Sequence, residues 1–240
     1  MLKLTSVTKS YNHTSRRVLA LNDVSLDIAK GEFVSLVGPS GSGKSTLLLL
    51  LGGMLAPAAG QVWVEGQSLY ELSSEARAAL RRKKIGFVFQ TFNLVPYLTA
   101  IENVQIPLYL AGHNSQDQQK RAKSLLERLG LGDRLEHKPS ELSVGQQQRV
   151  ALARMMANDP AVILADEPTG NLDPETGEQV VGFLDELNRE GRTVVMVTHD
   201  PRAAQRSRRR LKLVEGRIHS DDAGAVNPEP VEAGHLHSVA

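Results

Sequence analysis

The sequence has no cysteine in 240 residues. That excludes a disulfide framework and thiol chemistry, and it fits a reducing compartment. A charge excess is also missing: 28 lysines and arginines face 27 acids, a formal net charge of +1. A general nucleic-acid binder normally carries a strong basic surplus, so no nucleic-acid partner is expected. The most apolar window, Leu47 to Ala59, is broken by Gly52, Gly53 and Pro57. It falls short of the roughly 18 residues that a bilayer span needs. The opening Met1-Leu-Lys-Leu-Thr-Ser lacks the apolar core of a signal peptide. A soluble chain is expected, with any membrane role exerted through a partner. The composition is 41% hydrophobic, enough for one large α/β domain with a proper core.

The residues that organise the chain are Gly38-Pro39-Ser40-Gly41-Ser42-Gly43-Lys44-Ser45-Thr46. The spacing is G-x-x-x-x-G-K-[ST], and the apolar run Phe33–Val37 precedes it. This order reads as strand, glycine loop, helix. Glycines let the backbone wrap a phosphate with its N–H groups pointing inward. The helix opening near Lys44 aims its positive end at the same anion. Lys44 is expected at the β- and γ-phosphates of a nucleotide, and the Ser45 hydroxyl at Mg²⁺.

Around this loop, Leu2–Thr8 and Val18–Ile28 read as strands, with Tyr11 between them on a polar turn with Asn12 and His13. Gln61–Glu65 and Ile85–Phe89 are further strand candidates, the second ending at Gln90. Ser73 or Ser74 caps a helix through about Arg82. From about residue 91 to 157 the pattern turns helical, an insertion in the α/β core. Within it Ala100–Leu110 is expected to kink or break at Pro107. Ser115 with Gln118 forms a capping box for Gln116–Leu129, and Gly145–Ala157 is a third helix. The core resumes with a buried strand, Ala161–Ala165, a helix Pro174–Arg189, and a strand Thr193–Val197. Arg210–Val214 and Arg217–His219 suggest a final hairpin. From about Ser220 the composition reads as a disordered tail, so the domain is taken as 1–220 and the tail as 221–240.

Two further stretches carry chemistry. Val162-Ile-Leu-Ala-Asp166-Glu167 is a buried strand ending in two acids, at the sheet edge where open α/β folds bind ligands. Asp166 is expected to hold Mg²⁺ through water, and Glu167 to act as general base on the water attacking the γ-phosphate. Leu142-Ser143-Val144-Gly145-Gln146 opens a helix and offers a second anion site. Two phosphate sites in one chain make sense if Ser143 and Gly145 serve a nucleotide held by another subunit. Taken alone, Ser143 is an ordinary helix cap.

These motifs, in this order, resemble the ATP-binding subunit of an ABC transporter over residues 1 to about 220. The resemblance implies a RecA-like P-loop NTPase core with a mainly parallel sheet, an N-terminal antiparallel β subdomain and a helical insertion. Gly38–Thr46 resembles the Walker A, Leu142–Gln146 the signature, and Asp166-Glu167 the Walker B with its catalytic acid. Gln90 resembles the Q-loop glutamine, which senses Mg²⁺ and the partner. Asn171-Leu172-Asp173 resembles the D-loop, with Asp173 able to cap the next helix while contacting the other subunit. His199 resembles the switch histidine that hydrogen-bonds the γ-phosphate, and Tyr11 the aromatic that stacks on adenine. The implied cofactors are ATP and Mg²⁺. The implied partners are a second copy, head to tail, and integral membrane permease subunits at the cytoplasmic face of the inner (cell) membrane.

Gly52-Gly53-Met54, Phe92–Pro96, Leu98–Val104, Pro107-Leu108 and Gly170–Asp173 resemble a subgroup that holds the ATPases of macrolide exporters and lipoprotein-release systems. Its cell-division relatives work on cell-wall hydrolases, so an ATP-gated scaffold is the alternative. A DNA-associated ATPase of the same superfamily would tend to carry a coiled coil, a zinc site or a second cassette, none of which is read here. Two departures stand out. Val144 replaces the usual third-position glycine of the signature, and Ser207-Arg208-Arg209-Arg210 stands where the family often has Ala-Asp-Arg.

Overall fold

The structure, a computed structural model, describes residues 1–13 and 16–223. Its N-terminal part is an antiparallel sheet. β1 (Leu2–His13) and β2 (Arg16–Ile28) form a long hairpin, and β4 (Ala59–Val64) with β5 (Gln67–Ser68) adds to the free side of β1. Between them in sequence lie β3 (Phe33–Val37) and α1 (Lys44–Leu51). α2 (Ser74–Lys84) leads into β6 (Ile85–Phe89). Three helices follow, α3 (Ala100–Leu110), α4 (Ser115–Arg128) and α5 (Val144–Met156). The rest is β7 (Val162–Asp166), α6 (Pro174–Arg189), β8 (Thr193–Val197), α7 (Pro201–Gln205), β9 (Arg209–Val214) and β10 (Arg217–Ala223).

β3, β6, β7, β8 and β9 make a parallel sheet in the order β10-β9-β3-β8-β7-β6, with only β10 antiparallel at the edge. The strands are apolar on both faces because both are covered. β8 shows the division: Val194 and Met196 join the cluster under α3–α6, while Val195 and Val197 join the cluster around α1. α1 lies in that second cluster with residues of the antiparallel sheet, so Leu47, Leu48, Leu50 and Leu51 are all fully buried. A helix apolar all round is what such enclosure requires. Each of these leucines is worth roughly 1.5–3 kcal/mol by burial, so the helix behind the glycine loop is firmly anchored.

Several expectations are corrected. Tyr11, Asn12 and His13 are not in a turn: β1 continues through them, pairing Tyr11 with Val18, Asn12 with Arg17 and His13 with Arg16. Cross-strand pairing outweighs their turn propensity. α3 is not broken at Pro107 but continues to Leu110, the proline forgoing the single helical bond that its missing N–H would have made. α4 is capped one residue earlier than expected. Asn114, not Ser115, accepts the Asp117 N–H, and Gln118 Nε2 turns back to the His113 carbonyl. Residues 221–223, read as tail, pair with β9, whereas residues 224–240 lie outside the described residues. Among the described residues no helix is long and apolar enough to cross a membrane.

Candidate functional site

The glycine loop leaves β3 at the carboxyl end of the parallel sheet, and α1 starts from it. Gly38, Gly41 and Gly43 have φ of +146°, +76° and +103°. Gly43 is needed twice over: besides its φ, a Cβ there would lie 2.3 Å from the Ala20 carbonyl oxygen of β2. α1 carries no side-chain cap, so its first N–H groups depend on something other than the helix. Lys44 is buried and its Nζ donates to the Gly38 and Pro39 carbonyls, each at 2.9 Å. The loop is thus folded around its own lysine. The Ser42 hydroxyl is buried with no hydrogen-bond partner among the described residues.

β7 brings the acid pair to the same edge. Ser45 Oγ donates to Asp166 Oδ1 at 3.1 Å. Burial pushes the Asp166 carboxyl above the ordinary carboxylate range, and the Glu167 charge adds to this. The Ser45 hydrogen bond and the Lys44 charge oppose it. Glu167 adopts a left-handed φ of +47° and its N–H donates to the Val197 carbonyl at 3.0 Å. That locks the residue to the end of β8 and faces it to His199, whose Nδ1 lies 2.8 Å from Glu167 Oε2. Asp166, Glu167, His199 and the loop therefore converge at one sheet edge. Serine hydroxyl and carboxylate oxygens side by side form a hard-donor set, which suits Mg²⁺ completed by waters and phosphate oxygens.

Gln90 ends β6. The Gln90 carbonyl accepts from Asn171 Nδ2 at 3.0 Å, and a Cβ on Gly170 would sit 2.8 Å from Gln90 Nε2. The glutamine is thereby held against the turn that follows the acid pair. Tyr11 lies on the β1–β2 hairpin, about two-fifths exposed, with Lys9 Nζ 5.5 Å from its ring centre. Its cross-strand partner Val18 is two residues from Ala20, which touches Gly43, so this hairpin borders the loop.

Ser143, Gly145 and Gln146 are elsewhere. Ser143 caps α5 in a reciprocal box with Gln146. No hydrogen bond among the described residues joins this box to the glycine loop. Gly145 instead lies against the first turn of α6, where a Cβ would meet Thr176 Cγ2 at 2.8 Å. Asp173 caps α6; hydrogen bonds from the Thr176 hydroxyl and N–H hold its carboxyl below the ordinary range. Val144, half exposed, stands at the first position of α5.

Two site residues escaped sequence reasoning. Arg154, near the end of α5, donates to the Phe92 and Asn93 carbonyls, both at 2.6 Å. Those two residues have left-handed φ of +39° and +51°, so the arginine pins a strained segment just after Gln90. Gln148 Nε2 donates to the Pro168 carbonyl at 2.7 Å, tying α5 to the segment behind Glu167. Nothing in the local pattern marks either residue, because both act across long sequence separations.

The ABC transporter family matches residues 21–170, more than half of the chain. The chain belongs to the ABC transporter family. It is 47% identical over 233 residues to a macrolide export ATP-binding/permease protein of Paracoccus denitrificans, covering 96% of this chain and 35% of that protein. The chain thus spans about a third of the length of such relatives. It is 48% identical to an ABC transporter ATP-binding protein of Thermotoga maritima, covering 91% of this chain and 93% of that one. The dimeric post-hydrolysis structure of the ATP-binding cassette MJ0796 with ADP and phosphate superposes with a TM-score of 0.87 at 44% identity. The match covers 93% of this chain and 98% of that one. The α/β architecture described above is that of an ABC ATPase cassette.

Proposed function

We propose that the chain is the ATPase motor of an export-type ABC transporter, of the macrolide-export or lipoprotein-release kind. It works as a head-to-tail pair on the cytoplasmic face of the inner (cell) membrane and drives an integral membrane permease. The ATP-binding unit is taken as residues 1 to about 220. The observation that carries this reading is the separation of two phosphate-directed helix starts: α1 with Lys44 and the acid pair, and α5 with Ser143 against α6. Each is half of a site, and two chains related head to tail would complete both. The permease of the Paracoccus denitrificans relative is named within the same protein, which favours a permease as the partner here.

In this reading Tyr11 stacks on adenine and residues 38–46 cradle the phosphates, Lys44 exchanging its loop carbonyls for β- and γ-phosphate oxygens. Ser45, Asp166 and the Gln90 amide would hold Mg²⁺, which when bound neutralises charge on the phosphates. Glu167 accepts the proton of the attacking water, and His199, held by Glu167 through Nδ1, donates to the γ-phosphate. Ser143, Gly145 and Gln146 close on the γ-phosphate of the partner's nucleotide, and Asp173 meets the partner beside it. Glu167→Gln tests the assignment: the variant should bind ATP, form a stable pair on a sizing column and hydrolyse very slowly. Normal turnover by that variant would remove Glu167 as the base.

A further inference from the structure

A cavity of about 810 Å³ between α2 and α4 is lined by none of the residues assigned to the nucleotide site. One wall is the C-terminal end of α2, which belongs to the core, and another is α4, which belongs to the insertion. Ala79 of α2 and Ala111, just past α3, are exposed and supply apolar surface. Arg82 and Lys83 enter from α2, and Lys120 and Arg121 from α4. Among the described residues none of these four lies within ion-pair distance of a carboxylate. Arg82 bonds only the Leu110 carbonyl, and Arg121 only the Met156 and Ala157 carbonyls. Each guanidinium has five N–H donors, so most of the fork remains available. The two acids lining the cavity are already engaged: Asp159 by Arg192, and Asp117 by Asn114 in the α4 cap.

We infer that this cavity binds a phosphate ester with an apolar portion, whose phosphate is gripped by Lys83 and Arg82 from the core and by Lys120 and Arg121 from the insertion. Four like charges around one concavity repel each other, and a phosphate relieves that repulsion while the apolar part of the ester covers Ala79 and Ala111. Because the cations come from two parts of the fold, the bound anion ties the insertion to the core. A soluble phosphate ester and a phospholipid headgroup offer the same chemistry.

The test uses the full chain with its nucleotide site filled by ADP, and inorganic pyrophosphate as the probe in isothermal titration. One saturable site per chain is expected, weakened on the order of tenfold or more by Lys83→Glu with Lys120→Glu. Both exchanged lysines are solvent-exposed, and unchanged ADP affinity in the double variant shows that it is folded. Hydrogen exchange should slow together at the end of α2 and in α4 when pyrophosphate binds. Sedimentation with phosphatidylglycerol vesicles separates the sources. Lysine-dependent pelleting that pyrophosphate blocks identifies a headgroup, whereas pyrophosphate binding without pelleting identifies a soluble ester. No saturable binding, or equal binding by the double variant, overturns the inference.

Discussion

The two helix starts proposed to meet phosphate differ in how far each is already satisfied. α1 begins at Gly43, with no side-chain cap and a buried lysine in its first turn. α5 begins at Ser143, whose hydroxyl accepts the Gln146 N–H at 3.3 Å while Gln146 Oε1 accepts the Ser143 N–H at 2.9 Å. A helix whose first N–H groups are left uncapped is built to be completed by an anion. A helix with a closed capping box stands without one and has fewer donors to offer. In the proposed head-to-tail pair, the difference sets an order of events: α1 would take the nucleotide, and α5 would engage afterwards and more weakly, as a sensor.

Lys44→Ala should produce the largest effect on this contrast. It removes the charge from the better site, and ATP should bind about 100-fold more weakly, or worse, by equilibrium titration. Unchanged nucleotide binding would refute the loop assignment and with it the distinction. Gly43→Ala comes next. The φ of +103° and the 2.3 Å approach to Ala20 oxygen should cost about 1–3 kcal/mol or more in thermal unfolding and loosen ATP binding with it. Ser143→Ala is expected to cost about 1 kcal/mol of stability by opening the cap. It should leave the ATP affinity of the separate chain within about twofold, while ATP-driven pairing of the Glu167→Gln protein falls clearly. Equal loss of nucleotide affinity in Ser143→Ala and Lys44→Ala would erase the contrast.

The smallest effect belongs to the far edge of the sheet and serves as a control on electrostatics unrelated to either helix. The hydrogen bonds from Arg209 hold the Asp221 carboxyl below the ordinary range, and its opposite charge does the same against a small burial penalty. A carboxyl lowered on folding stabilises above its unfolded pKa of about 3.9 and loses that contribution as pH falls through the folded value. Asp221→Asn should therefore lower stability by about 0.2–1 kcal/mol at pH 7 and by almost nothing once the pH has fallen below the folded value. An equal loss at both pH values would show that the pair acts through packing rather than charge.

Which parts were legible follows from where their causes lie. β6 and β8 are short, apolar, rich in β-branched or aromatic residues and buried on both faces, so their bounds are readable from local pattern. The glycine loop and the acid pair carry their chemistry within a few residues. The β1–β2 hairpin is longer than its residues suggest, because Tyr11 is held by a partner strand rather than by its own propensity. Asn114 and Ser115 are both competent caps, and the local pattern does not decide between them. Arg154 on Phe92 and Asn93, and Asn171 on Gln90, join segments 61 to 81 or so residues apart; no local signal encodes such a meeting. They matter nonetheless, since they link α5 and the turn after Glu167 to the Gln90 segment.

The central claim is that α1 of one chain and α5 of another close on the same phosphate. The absence of cysteine makes a direct measurement possible. Ser40→Cys and Val144→Cys, both at exposed positions, are introduced together into the Glu167→Gln protein and treated with a short thiol-reactive linker. With ATP the pair should become a covalent dimer in high yield, and neither cysteine alone should give one. A covalent dimer from either single variant, or none from the double variant while ATP is bound, would contradict the head-to-tail arrangement.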